Sequence, residues 1–147
     1  HAALADSGAN PAHLKLELTE SLVLENVRHV IEKMHAIKCL GVSFSMDDFG
    51  TGYSSLSYLA QLPIDQLKID KSFVQNIPGE NNDETIARTI ISMGHGLNID
   101  VIAEGVETQV QREFLERHGC HAFQGYLYSH PLSLAQLEAY LQAQGTV

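Results

Sequence analysis

The sequence predicts an α/β fold, a partial (β/α) barrel of about five consecutive βα units, and three observations carry that prediction. Short apolar stretches alternate with longer helical ones, the pattern of a parallel sheet with helical crossovers. Polar residues recur at or just past the C-terminal end of each short stretch: Glu17, Asp47 with Asp48, Lys68 with Asp70, Glu104, and Gln124. In a doubly wound sheet the first and fifth strand ends would stand roughly 20 Å apart at about 4.8 Å per strand, too far to share a site, whereas a barrel gathers them at one mouth.

Residues 1–13, with Ala2 to Asp6 and Pro11, read as the end of a helix and a loop, and residues 14–147 as one domain. The chain begins at His1 rather than Met, and a lost upstream part is expected. Leu14 to Leu18 is the first strand, short and apolar, followed by a helix from Glu25 to Leu40. Val42 to Met46 is the second, ending in two carboxylates and a glycine-rich turn, with a helix over Ser54 to Gln61 that Ser54 or Ser55 can cap. Gln66 to Ile69 is the third, ahead of a helix opened by Asn82 or Asp83 and running to Leu97. Asp100 to Ala103 is the fourth, with a helix from Thr108 to His118 that Gly119 closes. His121 to Phe123 is the fifth, with a last helix from Ser133 to Gln142.

Composition narrows the function classes. A chain of 147 residues, 44% of them hydrophobic, can bury a sizeable single core. Its net charge of −9 argues against DNA or RNA binding, which needs a basic footprint. Cys39 and Cys120 stand far apart with no C-x-x-C spacing, so neither a disulfide framework nor a zinc knuckle is indicated. No apolar run approaches the 18 or so residues that cross a bilayer, and the N-terminus lacks the regions of a signal peptide, so a cytoplasmic chain without membrane insertion is expected.

The adjacent carboxylates of Asp47 and Asp48 repel one another unless a cation or a proton intervenes. A divalent metal resolves that conflict, and Gly50 and Gly52 permit positive φ, so the chain can fold tightly over it. An Asp-rich turn before a helix accounts for the same residues equally well. Asp48-Phe49-Gly50 also spells the metal-binding triplet of kinases, but the glycine-rich and H-R-D loops that kinases need are absent. His118-Gly119-Cys120-His121 has ligand residue types but straddles a helix end and a strand start, which favours a structural role.

Five ordered motifs, Glu17-Leu-Thr-Glu20-Ser21, Asp47-Asp-Phe-Gly-Thr-Gly-Tyr53-Ser-Ser55, Leu67-Lys-Ile-Asp70, Ala103-Glu-Gly-Val-Glu107-Thr108 and Gln124-Gly-Tyr126, resemble the later motifs of EAL-domain cyclic di-GMP phosphodiesterases. The resemblance runs from about Leu14 to Leu141 and implies a modified (β/α)8 TIM barrel that hydrolyses cyclic di-GMP to linear pGpG with two Mg²⁺ or Mn²⁺ ions. Such ions neutralise an anionic phosphodiester and generate hydroxide near neutral pH, and they prefer oxygen ligands. By resemblance, Glu17, Asp47 and Asp48 are metal ligands, with Asp47 toward both ions. Lys68 is the catalytic lysine, and Glu104 is the glutamate at the metal centre. Glu20, Asp70, Glu107 and Gln124 order the site or tether its loop. No residue is assigned to substrate binding. Lys68 as a Schiff-base lysine would require a lowered pKa, which neighbouring carboxylates oppose.

The chain departs from the family pattern in lacking the Glu-Ala-Leu motif and the asparagine of the following strand, which supply first-metal ligands; alone it is expected to be inactive or weak. His130, before Pro131, stands where the family often carries lysine. Five strands cannot close a barrel, so self-association through the open sheet edges or the helix after Asp48 is expected. A degenerate module that binds cyclic di-GMP without cutting it, or a dimerisation module, is the alternative. By family analogy the setting is bacterial and cytosolic, also where the parent protein is membrane-anchored.

Overall fold

The structure, a computed structural model, describes residues 2–19, 27–50, 59–79 and 82–145. Five strands, β1 (Lys15–Thr19), β2 (Ser43–Phe49), β3 (Gln66–Ile69), β4 (Asp100–Glu104) and β5 (Ala122–Gln124), form one sheet in the order β1-β2-β3-β4-β5. All four pairings are parallel. A doubly wound sheet reverses its strand order at a switch point, so this unbroken sequence of neighbours is a section of barrel wall. The α-helices with described bounds are α1 (Ala2–Ser7), α2 (Val27–Lys38), α3 (Lys71–Gln75), α4 (Asp83–Leu97), α5 (Gln109–Arg117) and α6 (Leu134–Ala143), with a 3-10 turn at Pro11–His13.

Alternation along the strands divides the sheet into two unlike faces. One set, Phe44, Met46, Leu67, Ile69, Val101 and Ala103, is buried with Met34, Val74, Ile90, Ile91 and Leu115 from the helices in a single apolar core. The other set is polar: Lys15, Glu17 and Thr19 on β1, Ser43, Ser45 and Asp47 on β2, Gln66 and Lys68 on β3. Asp100 and Glu104 on β4 and Gln124 on β5 continue it, with Ile102 and Ala122 as its apolar members. Lys15 Nζ donates to Gln66 Oε1 at 3.0 Å across this face. Ser45 and Lys68 at its centre are buried, while Lys15, Glu17 and Thr19 at its edge are exposed.

Strand boundaries differ from expectation mainly at β2, which runs past Met46 through Asp47 and Asp48 to Phe49. The register with β3 shifts between Met46 and Phe49, and Asp48 takes a φ of 52°, a bulge that carries the strand around its extra residue. β1 and β5 each lie one residue later than read, and β4 extends to Glu104. The helix α3 was not anticipated; at five residues it is too short to show a 3.6-residue period. The expected helix over 54–61 lies mostly outside the described residues, as do Glu25, the expected start of the helix before Leu40, and the predicted caps Ser54 and Ser55.

Local chemistry sets the ends. Gly119, at φ 96°, closes α5 with its own N–H on Glu116 O and the Cys120 N–H on Leu115 O, both at 3.0 Å, the paired bonds of a Schellman motif. Asp65 anchors the entry to β3: its Oδ2 accepts the Phe44 N–H at 2.8 Å while Oδ1 meets the Lys38 ammonium. Burial pushes the Asp65 carboxyl up, but those two bonds and the Lys38 charge bring it below the usual carboxylate range. Among the described residues no helix is long and apolar enough to cross a membrane.

Candidate active site at the C-terminal strand ends

Lys68 is one residue short of the end of β3, on the polar face, and its side chain is 8% exposed. Its ammonium lies 2.9 Å from Glu17 Oε1, 2.9 Å from Asp47 Oδ1 and 2.8 Å from Glu104 Oε1. Residues of four adjacent strands therefore meet at one point. Burial pushes the Lys68 amine down, but bonds to Glu104, Glu17 and Asp47 outweigh it and hold the pKa above the ordinary lysine value. At neutral pH this lysine is a fixed cation and hydrogen-bond donor.

Asp48, beside Asp47, is exposed. Desolvation, the charges of Asp47 and Asp70 and a bond to Asp70 together raise its pKa above the ordinary aspartate value, against the pull of Lys68. Asp70 plays two parts: it caps α3, accepting the Ser72 N–H at 2.9 Å and the Ser72 hydroxyl, and it bonds Asp48. Burial raises the Asp70 carboxyl, yet the Ser72, Asp48 and Lys71 donors bring it below its ordinary value.

A cavity of about 310 Å³ borders Glu104 and is lined by Lys71, Gln75, Gly105, Glu107, Gln124, Gly125 and Tyr126. That volume is at the lower end for small-molecule pockets, roughly 300–1,000 Å³. Glu107 and Gln124 are therefore brought to the site, along its wall rather than on the Lys68 ammonium. Glu20 lies outside the described residues. Sequence reasoning passed over Lys71 and Gln75, which belong to the unanticipated α3, and over Gln111, whose Thr108-x-x-Gln111 spacing was a readable capping box.

The donor set suits a hard divalent cation in kind: carboxylate oxygens only, and one of them, Asp47 Oδ1, is buried without a hydrogen bond of regular geometry, the Lys68 ammonium approaching it off-axis. In number the set is short, since no group of three or more His, Cys, Asp or Glu converges for a metal among the described residues. The Lys68 ammonium stands between Glu17, Asp47 and Glu104 and pairs with each of them. Mg²⁺ commonly takes one or two carboxylates and fills its shell with water and substrate phosphate, so the residues present fit such an ion.

Comparison with known proteins agrees with this geometry. The EAL domain family model matches residues 1–131. The cyclic di-GMP phosphodiesterase NbdA of Pseudomonas aeruginosa is 48% identical over 141 residues, covering 96% of this chain and 18% of that protein. The PaMucR phosphodiesterase, solved as a c-di-GMP complex, matches with a TM-score of 0.88 at 42% identity, over 92% of this chain and 55% of that one. A manganese and cyclic di-GMP complex of Klebsiella pneumoniae BlrP1 matches with a TM-score of 0.80 at 32% identity, over 88% of this chain and 33% of that one. The chain spans about a fifth of the length of the curated relatives it matches.

Proposed function

The chain belongs to the EAL domain family, its five βα units forming part of a (β/α)8 barrel, and from that membership we propose that it carries the lysine and carboxylate wall of a site hydrolysing cyclic di-GMP to pGpG. The observation that carries this reading is the Lys68 ammonium within 2.9 Å of Glu17, Asp47 and Glu104, with Asp48 alongside. Residues 14–147 are read as the later part of one such domain, with 1–13 leading into it.

Glu17, Asp47 and Asp48 would hold Mg²⁺ or Mn²⁺, two ions in the complete site. Bound there, the ions supply neutralisation of the phosphate and a hydroxide near neutral pH. Lys68, kept protonated by its carboxylates, holds Glu17, Asp47 and Glu104 in place around the attacking water, and its positive charge offsets charge growing on the phosphate oxygens. The same carboxylates oppose the lowered pKa that a Schiff-base role requires. Glu104 has one carboxylate oxygen on Lys68 and a second oxygen to accept a proton from water. Glu107 and Gln124, on the cavity wall, hold water and substrate beside it.

Turnover tests the reading: cyclic di-GMP and Mg²⁺ or Mn²⁺ are incubated with this chain and with a form extended upstream by about 100 residues to complete the barrel, where activity is expected, and pGpG is followed by chromatography. Asp47→Asn is expected to abolish metal-dependent product formation. A second reading, a module that binds cyclic di-GMP without cutting it, draws support from the absence of a three-ligand group among the described residues. Calorimetric binding without product selects that reading, and neither binding nor product defeats both. Self-association through the sheet edges belongs to the same proposal. A reducing cytosolic setting suits the free, exposed thiol of Cys39.

A further inference from the structure

Glu104 and Glu107 reach the site on one segment, the exit from β4, and what holds that segment lies behind it. Gln111, on α5, is 5% exposed, one of the few polar residues buried in the fold. Its Oε1 accepts the Glu107 N–H at 2.8 Å and the Thr108 N–H at 2.9 Å. Its Nε2 donates to Gln75 O at 3.4 Å. A capping box needs only the bond to the Thr108 amide. The bond to Glu107 lies outside the box, and Gln75 lies in another element, α3, which follows the strand that carries Lys68. One amide side chain therefore joins the segment bearing Glu104 and Glu107 to the βα unit bearing Lys68.

The opposite side of the segment is closed by backbone. Val106, fully buried, donates its N–H to Gln124 O at 3.1 Å and accepts the Leu127 N–H at 3.0 Å. A Cβ at Gly125 would stand 2.2 Å from Val106 O, so that approach requires glycine. The segment is thus gripped by β5 on one flank, and Gln111 supplies the grip on the flank facing Lys68.

We propose that Gln111 is a positioning residue of this site, setting the β4 exit against α3 so that Glu104 meets Lys68 and Glu107 faces the cavity. The kinetic part of its test rests on the phosphodiesterase reading; the geometric parts do not. The chain is compared with Gln111→Leu, which removes acceptor and donor together, and with Gln111→Glu, which keeps the acceptors of the capping box and loses the N–H toward Gln75. Three signals are followed: hydrogen exchange at the Glu107 and Thr108 amides, the ¹⁵Nζ resonance of Lys68, and kcat and KM for cyclic di-GMP with Mn²⁺.

In Gln111→Leu, exchange at the two amides is expected to rise about tenfold or more, the equivalent of one lost hydrogen bond. In both variants the Lys68 resonance shifts and kcat falls about 10- to 100-fold, the usual effect of losing a partner that orients a site ligand. KM stays within about threefold, because ground-state binding is left largely in place. Gln111→Glu keeps the protection of the two amides, which separates positioning from helix capping. An unchanged Lys68 resonance in Gln111→Glu, or amides of Glu107 and Thr108 that already exchange freely in the wild type, would overturn the proposal. A wild type without turnover defeats the phosphodiesterase reading alone, since exchange and the Lys68 signal still decide the role of Gln111.

Discussion

Lys68 replaces, with one ammonium, the repulsion that Glu17, Asp47 and Glu104 would otherwise exert on one another. Removing one partner of a buried ion pair costs about 3–5 kcal/mol, and the cost here is smaller because Glu17 is 52% exposed. Lys68→Met is expected to lower stability by about 1–3 kcal/mol in urea denaturation, and Mn²⁺ to raise the Tm of the variant more than that of the wild type. The folded pKa of Lys68 lies above its unfolded value of about 10.4, so its contribution is full below that pH and lost as pH rises through the folded pKa. The wild type should therefore lose stability in that alkaline range while Lys68→Met does not. The charged members of the cluster were legible in the sequence because each is a charged residue at or near the end of a short apolar stretch. Gln111 was not, because a neutral amide three residues after Thr108 reads as a cap and gives no sign of the second element it touches.

Elements were legible where a period or a cap marked them. β3 and α4 match their reading to the residue, helped by Asn98 at φ 55°, which ends α4 in the left-handed region. The extension of β2 past Met46 escaped because a bulge leaves no trace in apolar patterning, and with α3 went one wall of the cavity. Gly94 shows how closely α4 sits on β4: a Cβ there would lie 2.3 Å from Val101 Cγ2 and 3.1 Å from Ile99 O. Gly94→Ala is expected to destabilise by about 1–3 kcal/mol in chemical denaturation, overpacking outweighing the gain in helix propensity of about 1 kcal/mol. α6 is the opposite case. It contains no buried residue, and Leu134 is 73% exposed despite the capping box at Ser133. Its amides are expected to exchange before those of α4 and α5 in native-state hydrogen exchange.

At the scale of the whole molecule, barrel geometry was readable because polar residues at strand ends must converge to act together; the character of the open face was not, since its members read as isolated polar positions. The proposed self-association is checked by light scattering, with a dimer or larger species expected and a sharp monomer counting against it. The polar face also shapes what such a species can be: association is expected at the strand edges or at α6 rather than face to face, so binding of an apolar dye should fall when α6 is truncated. A further consequence concerns volume. Water against a polar wall exchanges with the bulk, so among the described residues the packing defects released on unfolding come mainly from the apolar layer between sheet and helices. Hydrostatic pressure, which unfolds proteins in proportion to the empty space they surrender, should therefore find less purchase here than on a barrel that encloses the same strands.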